Sequence, residues 1–281
     1  MIARVWVVLK RTGRSFYDDQ MNHHAAALTY YTLMSLFPAM LLGISLLSLL
    51  GQYPDTYNAV VSYLREVVPR QTLTAIDHSL RTAIREKGNA IPVLLVGVVT
   101  ALYGTTGVLE ALRRALNVAF RVESGRSFLR RKGRDILSSF ILIGLVLVTL
   151  VLVFVGGRLA DHAFGEGVAH VWNIVRWPGA VVIAMLAFNY IYYVTPDLKQ
   201  REFHVMTPGA VAAVIIWIVV SYAFSEYLSN YPAINAIYGA FASAIILVIW
   251  VWLTNVAVLF GAELNAVIAR SRVDTKAAKL L

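Results

Sequence analysis

The 281-residue chain has no cysteine, so disulfides, thiolate metal sites and cysteine nucleophiles are excluded outright. Charge is scarce as well: Asp, Glu, Lys and Arg make up 15% of the residues, 58% are hydrophobic, and the mean hydropathy is +0.66. Soluble domains carry about a quarter charged residues, and a chain this poor in them cannot clothe itself for water. It reads as a polytopic membrane protein. Catalytic signatures are missing too. There is no G-x-x-x-x-G-K-[ST] phosphate loop, and His23, His24, His78, His162, His170 and His204 form no H-E-x-x-H or related ligand spacing. We therefore expect no metal, no cofactor and no enzyme activity. The N-terminal apolar patch is broken by Lys10 and Arg11 and lacks a small-residue cleavage site, so it is expected to form a short amphipathic cytoplasmic helix, not a signal peptide.

What the chain does have is six apolar segments, at 25–50, 91–109, 136–157, 178–195, 208–229 and 237–262, each close to the ~20 residues that a spanning helix needs. The expected fold is an all-α polytopic membrane protein, one membrane domain over 1–281 with six transmembrane helices. Six spans put both termini on one side. Eighteen of the 25 Lys and Arg residues fall on that side, eight of them between the second and third spans, which makes it cytoplasmic. The net charge of +9 is then explained by anionic lipid headgroups at the basic loop 110–135 before any nucleic acid is invoked. Thr207-Pro208, Trp177-Pro178 and Ile91-Pro92 each place a proline where a span should start, since its missing N–H costs little there. Between the first two spans, Val60, Val61, Leu64, Val67 and Val68, then Leu73, Ile76, Leu80, Ala83 and Ile84, recur at helical spacing. This predicts an amphipathic outer segment at 55–87 that lies along the leaflet or caps the bundle.

Pro38 is different because it falls inside a span. Its ring removes a backbone donor and strands the carbonyl of Met34 at membrane depth, where protein or water must answer it. Tyr31, Ser35 and Pro38 lie at i, i+4 and i+7, so one helical face carries hydroxyls and a kink together. Either this is a packing kink or it lines a cavity. Asn189 in the fourth span and Asn255 in the sixth are deep amides, costly in hydrocarbon unless they meet a partner or water. Substrate-path candidates are thus Tyr31, Ser35, Pro38, Asn189 and Asn255. Glu110, Glu226 and Glu263 are charged boundary candidates, with Arg113, Arg114 and Arg270 as nearby partners for the first and last. The stripe Gly97, Ala101, Gly104, Gly107 in the second span is a helix-packing pattern.

Three stretches carry more than composition can. AAALTYYTLMSLFPAMLLGISLL, YVTPDLKQREFHVMTPGAVAAVIIW and YLSNYPAINAIYGAFASAIILVIWVWLTNVAVLFGAELNAVIAR together resemble the YihY/BrkB family of bacterial inner-membrane proteins, from about Arg14 to Arg270. The resemblance implies six spans, both ends cytoplasmic and a multi-pass place in the bacterial inner membrane. Family members have been called virulence or serum-resistance factors, transporters and, in older labels, ribonuclease BN. It brings no catalytic residues with it. The reading is a transporter or flippase-like protein for an amphipathic or anionic envelope molecule. The alternatives are a non-transporting scaffold for envelope assembly and, behind it, a ribonuclease, for which an acid/base pair or metal ligands would be needed.

Overall fold

The computed structural model describes residues 2–49, 90–122, 128–150, 152, 166–197, 206–230 and 240–277. Among the described residues there is no strand. The helices are α1 (Ile2–Asp18), α2 (Met21–Leu49), α3 (Ala90–Phe120), α4 (Phe128–Leu150), α5 (Glu166–Val194), α6 (Pro208–Asn230) and α7 (Ala240–Ala277). Each of the six predicted apolar segments is helical over its described residues, Thr195 apart. Among the described residues, three helices hold apolar segments long enough to cross a membrane: Ile174–Val194, Pro208–Leu228 and Ala244–Ser271. The predicted outer segment 55–87 and the Pro38 side chain lie outside the described residues, although the backbone of α2 is helical through that position.

Helix ends follow local chemistry. At the end of α3, Arg121 takes the left-handed conformation (φ 54°), Val122 N–H bonds the Asn117 carbonyl at 2.9 Å, and Arg121 N–H bonds that of Val118 at 3.0 Å. This is the Schellman closure, with arginine where glycine is usual. Gln20 (φ 52°) ends α1 in a similar way and turns the chain into α2. α6 begins as the sequence predicts, with Thr207 as cap and Pro208 as first residue. Pro178 does not. α5 starts at Glu166 and carries Pro178 in its interior, so Trp177-Pro178 is not a helix entrance. Residues 166–177 supply a helical lead-in that composition hid, because they hold His170, Asn173 and Arg176 and read as a loop.

The chain forms two compact units whose boundaries fall within helices. One comprises Met1–Ala26, Leu109–Ile218 and Thr254–Leu281. Its interior is rich in small residues, with Ala115, Ala119, Ala210, Ala213, Ala257, Ala262 and Ala266 all buried beside Leu116, Tyr192 and Leu259. Such stripes let helix backbones approach closely when packing, not water exclusion, must hold them. The other unit comprises Ala27–Val108 and Val219–Leu253. There α2 meets α3 over glycine: a Cβ on Gly104 would stand 2.7 Å from that of Ser35, and one on Gly107 3.2 Å from the Tyr31 ring.

Candidate functional site

A polar network in the first unit surrounds the start of α6. A helix start leaves several N–H groups without intrahelical acceptors. Here Ala210 N–H meets the Thr207 hydroxyl at 3.3 Å and carbonyl at 3.0 Å, while Gly209 N–H donates to Asn265 Oδ1 at 2.8 Å. Asn265 Nδ2 in turn donates to Thr207 Oγ1 at 3.0 Å, and that hydroxyl donates to Asn189 Oδ1 at 2.9 Å. Asn189, from α5, is buried. A chain of amide, hydroxyl and amide from three helices thus closes the exposed end of α6.

Asn265 can reach across because α6 and α7 touch through backbone at Gly209 and Gly261. A Cβ on either residue would strike the other's carbonyl oxygen; one on Gly209 would also come within 2.5 Å of Asn265 Cγ, and one on Gly261 within 2.6 Å of the Tyr192 hydroxyl. The buried Tyr192 hydroxyl donates to the Val258 carbonyl at 2.6 Å and ties α5 to the same crossing.

Two further polar ties pin the neighbouring segments. Arg113 of α3 and Asp135 of α4 form a buried ion pair. Burial raises the Asp135 carboxyl above its ordinary value while the Arg113 guanidinium pulls it down. After α5 the chain runs through Thr195, Pro196 and Asp197, all buried. Asn117 holds it at two points, donating to Asp197 Oδ2 at 3.2 Å and accepting from Asp197 N–H at 3.0 Å.

Glu263 lies two residues beyond the Gly261 crossing and is wholly buried. Arg270 Nη2 is 3.6 Å from its Oε2 and donates to Ser15 Oγ at 3.3 Å. Among the described residues neither carboxylate oxygen has a hydrogen-bond partner. The other boundary carboxylates are exposed. Glu110 pairs with Arg114 at 2.8 Å, a bond that holds its carboxyl below the usual range, and Glu226 accepts from Asn230 at 2.9 Å.

The remaining predicted positions fall in different units. Asn189 and Asn255 belong to the first unit, Tyr31 and Ser35 to the second. Tyr31 is partly exposed over Gly107, and the Ser35 hydroxyl donates to the Thr32 carbonyl at 2.9 Å. Asn255 is half-buried next to Thr254, which accepts from Trp217 Nε1 at 3.2 Å. Sequence reasoning missed Asn117, Asp135, Asp197 and Asn265. Asp135 had a signal, being an acid within a strongly basic stretch, and Asn265 lies one turn beyond Gly261 on the same face. Arg113, read as a neighbour for Glu110, is engaged by Asp135 instead.

Residues 12–280 match the family model described as virulence factor BrkB. The chain is 29% identical over 253 residues to the ribonuclease-like protein YfkH of Bacillus subtilis, covering 88% of this chain and 90% of that one. It is 28% identical over 266 residues to a UPF0761 membrane protein of Pseudoalteromonas translucida, covering 92% and 84%. No solved structure matches. With a family match over nearly its whole length and helices of membrane-crossing length, the chain belongs to the BrkB family of membrane proteins.

Proposed function

We propose that the chain is a six-span transporter or flippase-like protein of the bacterial inner membrane, with cytoplasmic termini, acting on an amphipathic or anionic envelope molecule. The observation that carries the reading is Glu263: a carboxylate with no exposure and, among the described residues, no hydrogen-bond donor, inside an apolar segment of 28 residues. Packing alone gives little reason to keep such a group, since an apolar residue of similar volume costs less; ionisable residues at membrane depth mark solute and proton paths. Arg121, Lys132 and Arg134 are exposed and suit the role of a basic rim for phosphate-bearing headgroups, with lipid the partner and nucleic acid not. Tyr31, Ser35, Pro38, Asn189 and Asn255 are the proposed lining. The test is reconstitution into vesicles with labelled phospholipids and small envelope anions. Protein-dependent movement that Glu263→Ala abolishes supports the reading, and no movement of any of them refutes it.

The closed network of Asn189, Thr207 and Asn265 favours a second reading, a scaffold in which buried amides serve only as packing glue. It predicts that Asn189→Ala lowers thermal stability and leaves the cellular phenotype intact at equal abundance. The name of the Bacillus subtilis relative raises a nuclease; we infer that this chain is not an enzyme, and metal-dependent RNA cleavage by purified protein would overturn that.

A further inference from the structure

Glu263 does not stand alone. The carboxyl of Asp19, in the turn between α1 and α2, faces it within hydrogen-bonding reach. Asp19 is fixed by its own backbone, whose N–H bonds the Ser15 carbonyl at 2.8 Å before Gln20 reverses the chain. Its Oδ2 is buried and, like both oxygens of Glu263, meets no donor among the described residues. The charged groups that act on Glu263 are Arg270 of α7 and Arg121 at the end of α3, and the titratable His24 of α2 acts on Asp19. Arg270 comes closest, yet at 3.6 Å from Oε2 it is beyond hydrogen-bond range, and its Nη1 is itself buried without an acceptor.

An ionised carboxylate only accepts hydrogen bonds. Glu263 is wholly buried and Asp19 partly so, with its Oδ2 covered; with both ionised and no donor between them, the pair suffers desolvation, chiefly at Glu263, and like-charge repulsion. A single proton removes both penalties: it converts one acid into a donor, makes a charge-assisted O–H···O⁻ bond to the other, and leaves one negative charge opposite Arg270. We infer that Asp19 and Glu263 form a proton-binding site in which the two carboxyls share one proton. Release creates a second negative charge, which the unpaired face of Arg270 is placed to answer. The site stands whether or not the chain moves a solute; in a transporter it is the group that couples movement to protons.

The experiment is infrared difference spectroscopy of the full chain in lipid nanodiscs, between neutral and alkaline pH, in H2O and D2O. The wild type is expected to show a protonated-carboxyl C=O stretch at neutral pH that shifts in D2O and bleaches on alkalinisation. Glu263→Gln is expected to lose the band, and Asp19→Asn to move the bleaching point by about one pH unit or more towards acid. Absence of the band in the wild type, its persistence in Glu263→Gln, or an unmoved bleaching point in Asp19→Asn overturns the inference. So does a site without the band whose thermal midpoint rises with sodium, potassium or calcium, which assigns the pair to a metal cation. Should Glu263→Gln fail to fold, the wild-type spectrum and Asp19→Asn still decide. The readout needs no flux, so a chain that transports nothing gives the same answer.

Discussion

Replacing Gly209 by alanine adds one methyl group where α6 and α7 touch. That carbon would stand 2.5 Å from Asn265 Cγ and 2.6 Å from Nδ2, and would overlap the Gly261 carbonyl oxygen. Unstrained contacts of this kind sit at about 3.5–4.0 Å, so the helices must part by about 1 Å. The Gly209 N–H to Asn265 bond, now 2.8 Å, would then stretch to about 3.8 Å and cease to exist. Forced overpacking costs about 1–3 kcal/mol, and a buried N–H left unpaired about 1–3 kcal/mol more. The expected loss is therefore about 2–6 kcal/mol, a large share of the 5–15 kcal/mol typical of a whole protein. Gly261→Ala should fall in the same range, through the Gly209 carbonyl and the Tyr192 hydroxyl, and the double variant should lose less than the sum because both act on one contact. Gly13→Ala and Gly133→Ala are the controls. Nothing lies within 4 Å of either, so alanine's better helix propensity should leave them neutral or up to about 1 kcal/mol more stable. Equilibrium unfolding in mixed micelles, followed by tryptophan fluorescence, measures all five. If Gly209→Ala and Gly261→Ala are no worse than the controls, the backbone-to-backbone crossing is refuted.

Three other outcomes are expected. Gln20→Gly should raise stability by about 1 kcal/mol or less, since glycine relieves the left-handed φ of 52° while gaining freedom in the unfolded chain; a lower midpoint in thermal unfolding would contradict this. Arg113→Ala or Asp135→Ala should each cost about 3–5 kcal/mol by stranding a buried charge, whereas Arg113→Met with Asp135→Leu should cost less than either; simple additivity in the cycle would dismiss the pair. Burial and the neighbouring His23 hold His24 below its ordinary pKa, so the unfolded chain takes up the proton first; stability should be full above about pH 6.5 and decline as pH falls below it. His24→Gln should flatten that acid decline in unfolding midpoints measured across pH, and an unchanged slope assigns it elsewhere.

The helices were legible in the sequence because an apolar run of about 20 residues offers its backbone no other way to pair in lipid, and Thr207-Pro208 announced α6 through capping chemistry that is entirely local. Pro178 misled for the same local reason. Its dipeptide reads as an entrance, while whether a helix continues on its N-terminal side depends on packing such as that of Leu152 against Gly179. Asn189 was visible as a costly amide, but its answer lies in Thr207 and Asn265, 18 and 76 positions away, and periodicity carries no information across that distance. The basic run around Arg113 looked uniform because charge counting does not say which arginine turns inward to Asp135. Glu263 stood out only as a carboxylate near a span end; that it is wholly buried and faces Asp19 required the fold.

The two-point grip of Asn117 on Asp197 has a practical side. Reporter peptides are commonly spliced into inter-helix connections to find which side of a bilayer they occupy. Between Val194 and Asp197 such an insert would have to tear out both hydrogen bonds and lift a fully covered proline into solvent, so it would report on wreckage instead of sidedness.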